Sequence, residues 1–185
     1  MSPQTLTIMP TPRDEVASHA RRVFLRNSSF GFCALSGVGF ARPAWAHHGW
    51  SSFDEAAPIY LEGTVQTVRW QNPHAEIVLN VSTQAALPTD LLSRKLPPQQ
   101  ANVDTEGILK KTRLPKHIGA WEIEFAPLSR MNAWQIEAIK QGTKLAVIGY
   151  TFADEKPDSK GQRVLRVEFL FLGPQAYSIR SSPRG

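Results

Sequence analysis

Apolar and polar residues alternate in several short stretches after residue 60, a pattern typical of β-strands with one buried face. The first stretch runs from Leu61 to Trp70, and its apolar positions change phase at Val68. Such a change within one strand requires either a β-bulge or strong coiling of the strand, and small barrels use both to curl. Asn72-Pro73 then interrupts the pattern, because proline has no amide hydrogen for strand pairing.

Four further strands follow from the same alternation. The fourth is predicted over 144–152, and a charged hairpin over 154–162 joins it to the fifth. The apolar positions predicted to face the core are Ala75, Ile77, Leu79 and Val81 in the second strand, Trp121, Ile123 and Phe125 in the third, and Leu165, Val167, Phe169 and Phe171 in the fifth.

One helix is predicted between the third and fourth strands, because apolar residues recur at helical spacing over 130–140. Ser129 can cap its start and Gly142 can end it. The resulting order is that of an oligonucleotide/oligosaccharide-binding (OB) barrel. We therefore predict a mainly β fold, a small five-stranded OB-like barrel with one helix between strands three and four. An open sheet packed against one helix is the alternative, but barrel closure would remove exposed strand edges.

Two segments lack the alternation. Residues 82–118 are rich in proline and show no sustained pattern, so we predict a flexible surface insertion within a single barrel domain over 47–175. Gly173-Pro174 closes the last strand, and the tail over 176–185 is predicted to be loose.

The first 46 residues have the features of an export signal. Arg21 and Arg22 are followed by a weakly apolar run and by a small-x-small cleavage motif that ends at Ala46. The run is shorter than the roughly 20 apolar residues that span a bilayer. We therefore predict a twin-arginine-type signal over 1–46 that engages the export machinery through this arginine pair. Cleavage would leave a periplasmic or secreted chain that begins at His47 and has no stable membrane span.

Cleavage would also change the composition of the chain. Five of its 21 Lys and Arg and two of its 16 Asp and Glu lie in residues 1–46, which leaves the mature chain a formal charge of +2. This balance disfavours a nucleic-acid partner. The one cysteine, Cys33, lies in the signal as well. No nucleophile set, acid–base pair or cofactor motif can be assembled, so we predict no catalytic residues and regard an enzyme as the weakest interpretation.

Several short motifs lie at or after the predicted cleavage site. They are His47-His48, Phe53-Asp54, Gly63-Thr64-Val65 and Trp70-x-Asn72-Pro73-His74, with weaker ones at Gly142-Thr143-Lys144 and Gly149. Together they resemble the domain-of-unknown-function family 6152, a family of small exported bacterial proteins. The resemblance covers 47–81 well and 119–173 loosely, and 82–118 is an insertion relative to the family. It implies a small exported β-domain and no particular activity.

The predicted new N-terminus offers ligands for a metal ion. His47 would supply its α-amine and an imidazole nitrogen, and His48 or His74 would add a further imidazole. Such an all-nitrogen set suits copper(II), which is the one cofactor the sequence suggests. Glu76 lies on the same strand face as His74 and could orient it. In the alternative interpretation, the terminal histidines are solvated and His74 only forms hydrogen bonds around the proline break.

A surface for a small ligand is the other predicted chemistry. Aromatic and polar side chains near the new terminus and the proline break could line a groove for a sugar or a small apolar molecule. The candidates are Trp50, Phe53, Trp70, Asn72 and His74. Trp121 is better explained by core packing. We predict a non-catalytic periplasmic binding or accessory module with an unknown small ligand or periplasmic protein partner, and copper binding is the alternative.

Overall fold

Five strands close on themselves in the computed structural model of the chain, which describes residues 50–83 and 86–185. These residues belong to one unit that spans His48–Gly185. The predicted signal, Cys33 and the histidine pair at 47–48 lie outside the described residues.

The described residues form six strands, two short α-helices and three 3₁₀ turns. The strands are β1 (Ile59–Trp70), β2 (Ala75–Val81), β3 (Gly119–Glu124), β4 (Lys144–Tyr150), β5 (Val164–Leu172) and β6 (Gln175–Ser178). The helices are α1 (Thr105–Lys111) and α2 (Leu128–Ala133), and the 3₁₀ turns are Trp50–Ser52, Leu91–Ser93 and Ala153–Glu155.

The pairing of the strands confirms the predicted fold class. The sheet order is β3-β2-β1-β4-β5-β6, and β3 also pairs with β5 in parallel. This additional pairing closes β1 to β5 into a mixed barrel, and β6 extends the sheet beside β5. Helix α2 lies between β3 and β4, as in an OB-like barrel. The alternative of an open sheet is therefore wrong.

Of the two predicted explanations for the phase change in β1, the bulge is confirmed, at Gln66. The register between β1 and β2 shifts between Val65 and Thr67, which leaves Gln66 without an opposite residue. Val65 therefore lies in the core before the bulge, and Val68 and Trp70 pack against the same core after it. The extra residue is what allows one long strand to contribute to the core along its whole length.

A second bulge, at Glu168 in β5, overturns the predicted inward face of that strand. The register between β4 and β5 shifts so that Glu168 has no opposite residue. Leu165 and Val167 precede the shift and lie in the barrel core. Phe169 and Phe171 follow it and lie in a separate apolar cluster on the outside of the barrel. The alternation alone does not reveal the shift, because both faces of β5 are apolar at this point.

The insertion has more structure than its sequence pattern predicts. Helix α1 and the 3₁₀ turn at Leu91–Ser93 bring Leu109 and Leu91 onto the outer apolar cluster, and both are buried there. The barrel residues beneath them are Tyr60, Ala146, Ile148, Phe169 and Phe171. The insertion thus covers the outer face of β4, β5 and the start of β1.

The helix predicted over 130–140 is shorter and begins earlier. Helix α2 ends at Ala133, and Gln135 has a positive φ of 55°. A left-handed residue just beyond the last turn stops a helix. Ile136 is nevertheless buried in the core, so its apolar character reflects a packed loop. Ser129 lies inside the first turn of α2 and is not its N-cap.

The C-terminal residues, predicted to be loose, are held in place. Residues 175–178 form β6, and Ile179 is buried in the core. The indole Nε1 of Trp134 donates a hydrogen bond of 2.8 Å to the Ser181 carbonyl, and the Ser181 amide donates one of 2.8 Å to the Gln99 side chain. The tail therefore runs between the insertion and the α2 region.

Candidate functional site

Four charged side chains lie in one row across the outer face of the barrel. Strand pairing puts Arg69 of β1 opposite Glu76 of β2, Glu76 opposite Glu124 of β3, and Glu124 opposite Arg166 of β5. We call these four residues the charged row. Tyr150 of β4 is opposite Arg166 and ends it.

The charged row is buried to an unusual degree for an outer face. Glu76, Glu124 and Arg166 are only 7%, 5% and 8% exposed. Arg69 forms an ion pair with Glu76, and Arg166 forms one with Glu124. The two carboxylates repel each other across the strands, and the flanking guanidiniums offset that repulsion. Apolar residues often replace such buried pairs without loss of stability, so stability alone does not explain the row.

His74 lies directly against the charged row. It follows the cis Asn72–Pro73 peptide that interrupts the hairpin between β1 and β2, and its Nδ1 atom is 3.6 Å from Oε1 of Glu124. The carboxylate that the structure places beside His74 is Glu124, whereas Glu76 pairs with Arg69, and its predicted part in orienting the ring stays a prediction. A carboxylate beside an imidazole restrains the orientation of the ring.

Phe53 holds the N-terminal part of the described chain against Arg166, at the β5 end of the charged row. Its ring stacks on Phe152, with centroids 5.0 Å apart and planes 11° apart. The Arg166 guanidinium lies 5.0 Å from the Phe53 ring centroid, a cation–π contact. The adjacent amide of Asp54 donates a hydrogen bond of 2.8 Å to the Thr151 carbonyl. Phe53 is thus buried in a small apolar cluster with Tyr150, Val164 and Phe152, separate from the barrel core.

A second arginine, Arg180, ties this segment to the rest of the chain. It donates to Glu55 at 2.9 Å and to Glu168 at 2.6 Å. The side-chain amide of Gln99, in the insertion, donates to the other oxygen of Glu168 at 3.3 Å. Burial raises the pKa of the fully buried Glu168 carboxyl, although Arg180 opposes that shift. The segment before β1, the insertion and the C-terminal tail therefore meet at one buried carboxylate.

A further carboxylate, Glu122, lies beside the charged row. It is on the same face of β3 as Glu124, two residues away, and it is half-buried. Burial raises the pKa of the Glu122 carboxyl. Asp158 adds to this shift, while Lys160 and Arg69 oppose it. A half-buried carboxylate with a raised pKa favours a cationic neighbour.

The other predicted ligand-binding residues occupy different positions. Trp70 is half-buried and packs against the core, with its ring centroid 6.1 Å from that of Phe125. Asn72 is exposed at the turn. Trp121 is fully buried and donates from Nε1 to the His117 carbonyl at 3.2 Å, which confirms its predicted place in the core.

Three predicted site residues have side chains that the structure does not describe. The backbone of Trp50 begins a 3₁₀ turn, and His47 and His48 lie outside the described residues altogether. Within 50–83 and 86–185, no group of three or more His, Cys, Asp or Glu side chains is arranged to hold a metal ion. A metal or ligand role for these three residues stays a prediction.

The sequence interpretation missed the partners of His74 and Phe53. Glu124 and Arg166 occupy outward positions of alternating strands, where charged residues ordinarily face solvent. Their proximity follows from the parallel pairing of β3 with β5, which no local pattern reveals. Arg69 and Glu76 flank the Asn72-Pro73 break seven residues apart, so their opposite charges were the one available signal.

Comparison with known proteins finds a similarity to one family over part of the chain. No curated protein and no solved structure matches this chain. The described part of the chain contains no helix that is long and apolar enough to cross a membrane. The matched region includes β1, β2 and His74 but not Glu124 or Arg166. The model of a family of unknown function, DUF6152, matches residues 36–91, which confirms the family resemblance predicted from the sequence.

Proposed function

We propose that this chain is an exported, non-catalytic binding or accessory module. Its ligand surface is the charged row together with His74 and Phe53, and it faces the periplasm or the medium after removal of the signal. The observation that carries the proposal is the burial of three charged side chains of the row on an outer barrel face. The other outward positions on that face are less buried: Val78 and Glu122 are half-buried, and Thr67, Asn80 and Ala120 are exposed.

A binding role follows from the chemistry of the charged row. Its two guanidiniums and two carboxylates are held in fixed positions by mutual pairing and by the strands beneath them. Preorganised donors and acceptors recognise a polar ligand with little further ordering. The matching ligand is a small polar molecule, or a segment of a periplasmic protein, that carries both donor and acceptor groups.

The test is a ligand screen on processed protein. A panel of monosaccharides, amino acids and dicarboxylates is screened by thermal shift, and hits are titrated by calorimetry. The row variant Arg166→Met/Glu124→Leu is expected to bind at least tenfold more weakly. The matched control is Lys110→Met/Glu106→Leu, which removes an exposed ion pair on α1 and is expected to bind normally. Equal affinity in the two variants would contradict the proposed surface.

A second candidate function is copper binding, and one observation favours it. The Glu124 carboxylate lies on the Nδ1 side of His74, at 3.6 Å. Histidines that bind metals commonly have a carboxylate on the ring nitrogen that faces away from the metal. The His47 α-amine and imidazole would complete a nitrogen set with His74, which suits copper(II).

Copper titration of three proteins tests this candidate. They are the chain that begins at His47, its His74→Ala variant, and a version that retains Ala46 and so lacks the His47 α-amine. The first should bind copper(II) at least tenfold more tightly than either of the others. Equal affinities across the three would rule out this site.

A further inference from the structure

A cleft of about 410 Å³ lies where the insertion meets the hairpin between β5 and β6. This volume is within the range of about 300–1,000 Å³ that accommodates small molecules. None of the four residues of the charged row lines the cleft, so it is distinct from the ligand surface proposed above. The lining residues with recognisable chemistry are Asp90, Arg94 and Lys95 from the insertion, and Phe171, Pro174 and Gln175 from the hairpin.

Arg94 is held in a fixed orientation on the insertion side of the cleft. Its Nε and Nη2 atoms donate to the two carboxylate oxygens of Asp90 at 3.1 and 3.2 Å, and its guanidinium lies 4.7 Å from the Phe171 ring centroid. Asp90 thus occupies one donor edge of the guanidinium and offsets its charge. Because a guanidinium also stacks on aromatic rings, what Arg94 chiefly offers a ligand is its planar face.

Hydrogen-bond donors come from both walls of the cleft. The Lys95 ammonium is exposed and forms no ion pair or hydrogen bond within residues 50–83 and 86–185. On the opposite wall, Oε1 of Gln175 accepts from the Tyr177 hydroxyl, which leaves the Nε2 group of Gln175 as a donor. Two cations, Arg94 and Lys95, and one carboxylate, Asp90, give the lining a formal charge of +1. The cleft therefore favours an anion with two acceptor atoms, such as a carboxylate.

The rest of the lining is apolar. Phe171 belongs to the outer apolar cluster, Ala176 packs against that cluster, and Pro174 is exposed in the turn of the hairpin. An inorganic anion would use only the donors and would leave this apolar surface and the Arg94 face in water. A neutral ring would use the apolar surface and would leave the Lys95 ammonium without a partner. One molecule with a ring and a carboxylate uses the whole lining.

We propose that this cleft binds a small aromatic carboxylate. The ring lies against the planar face of Arg94 and the side chain of Pro174, and the carboxylate accepts from Lys95 and Gln175. The site goes beyond the function proposed above, because it shares no residue with the charged row. It exists only where the insertion lies against the barrel, so it also gives the insertion a part in recognition.

A titration followed by amide chemical shifts tests the ligand class. Sodium benzoate is added to the isotopically labelled protein at constant ionic strength, with benzamide and sodium acetate as comparison compounds. Amides in residues 90–95 and 171–176 should shift, and benzoate should bind about fivefold more tightly than benzamide, which lacks the charge, and acetate, which lacks the ring. Equal affinity for benzoate and either comparison compound would overturn the proposed class. Benzoate shifts confined to other residues would overturn the site.

A pair of charge reversals tests the role of the ammonium. Lys95→Glu should weaken benzoate binding about tenfold, because it places a carboxylate against the anion. The matched control is Lys111→Glu, at an exposed position on α1 outside the cleft. Both variants change the net charge of the protein equally, so a difference between them reports the local contact. Equal benzoate affinity in the two variants would overturn the proposal.

Two further variants separate the ring contact and the charged row from the cleft. Arg94→Lys keeps the positive charge but removes the planar face, so it should weaken benzoate binding about threefold and leave acetate binding unchanged. An unchanged affinity for benzoate would overturn the ring contact. The row variant Arg166→Met/Glu124→Leu should bind benzoate like the wild type. Weaker binding by the row variant would mean that benzoate occupies the charged row, which would overturn the cleft and support the surface proposed above.

Discussion

The outer surface of β4 and of the second half of β5 is apolar and lies beneath the insertion, whereas the charged row crosses β1, β2, β3 and the start of β5. Both surfaces belong to one barrel and both bury large side chains. On the first, Phe169 and Phe171 meet Leu91 and Leu109 from a distant part of the chain. On the second, Glu124 and Arg166 are buried against each other and against His74 and Phe53.

The two surfaces differ in what they contribute to the molecule: the apolar face adds stability, and the charged face offers groups for recognition under the proposed function. Apolar burial contributes about 25 cal/mol per Å² and is non-directional, so the covered face adds stability. Burial of charges carries a desolvation cost that pairing only partly offsets, and it adds direction and specificity. The covered face therefore acts as a second core, and the charged face is the proposed recognition surface.

The largest expected effect is on the covered face. Phe169→Ala should lower the free energy of unfolding by about 3–5 kcal/mol, because Phe169 is fully buried beneath the insertion. Leu92→Ala is the control, since Leu92 is adjacent to this cluster in sequence but 65% exposed, and it should change stability by less than about 0.5 kcal/mol. Urea unfolding measures both. A loss below about 1 kcal/mol for Phe169→Ala would mean that this face is not a second core.

The charged row should respond differently to one substitution and to two. Glu124→Ala alone leaves Arg166 buried without its carboxylate and should cost about 3 kcal/mol. Arg166→Met/Glu124→Leu removes both charges and should stay within about 1 kcal/mol of the wild type. The same urea unfolding measures them. If the double variant loses as much free energy of unfolding as Glu124→Ala does, the row is needed for stability. The proposed recognition role would then lose its main support.

The sequence predicted those parts of the molecule that depend on local pattern. The strand order, the β1 bulge at Gln66 and the burial of Trp121 follow from alternation and turn residues. The face of Phe169 could not be predicted, because an apolar residue at every second position continues unchanged through the bulge at Glu168. The covering role of the insertion depends on two sparse residues, Leu91 and Leu109, which local hydrophobicity does not single out.

The residues of the candidate site also form two groups, those that the sequence indicates and those that only the strand pairing brings together. His74 and Phe53 stand out in the sequence because of the proline break and the position after the cleavage site. Glu124 and Arg166 look like ordinary outward charges until the parallel pairing of β3 with β5 brings them together. Sequence reasoning therefore found the residues near the N-terminus and missed those contributed by long-range pairing.

A test of intermediate size concerns the link between the insertion and the barrel. Gln99 is buried, donates to Glu168 and accepts from the Ser181 amide and hydroxyl. Gln99→Ala removes one partner of the buried Glu168 carboxylate and the acceptor of the half-buried Ser181 groups, and it should cost about 1–3 kcal/mol. Gln100→Ala, at the exposed next position, should be nearly neutral. Hydrogen exchange of the amides in residues 97–101 and 179–184 should be faster in Gln99→Ala and unchanged in Gln100→Ala. Equal exchange in the two variants would mean that Gln99 does not hold the insertion against the barrel.

The smallest expected effect is a change with pH on the charged face. Burial raises the pKa of the Glu122 carboxyl above its ordinary value of 4.5, so the folded state holds this proton more tightly than the unfolded state does. The resulting stabilisation is fully present below pH 4.5 and is lost as the pH rises through the raised pKa. Relative to Glu122→Gln, the wild type should therefore lose stability between about pH 4 and pH 7, as measured by urea unfolding at several pH values. A wild type that instead gains on the variant over this range would mean that a cation already neutralises Glu122.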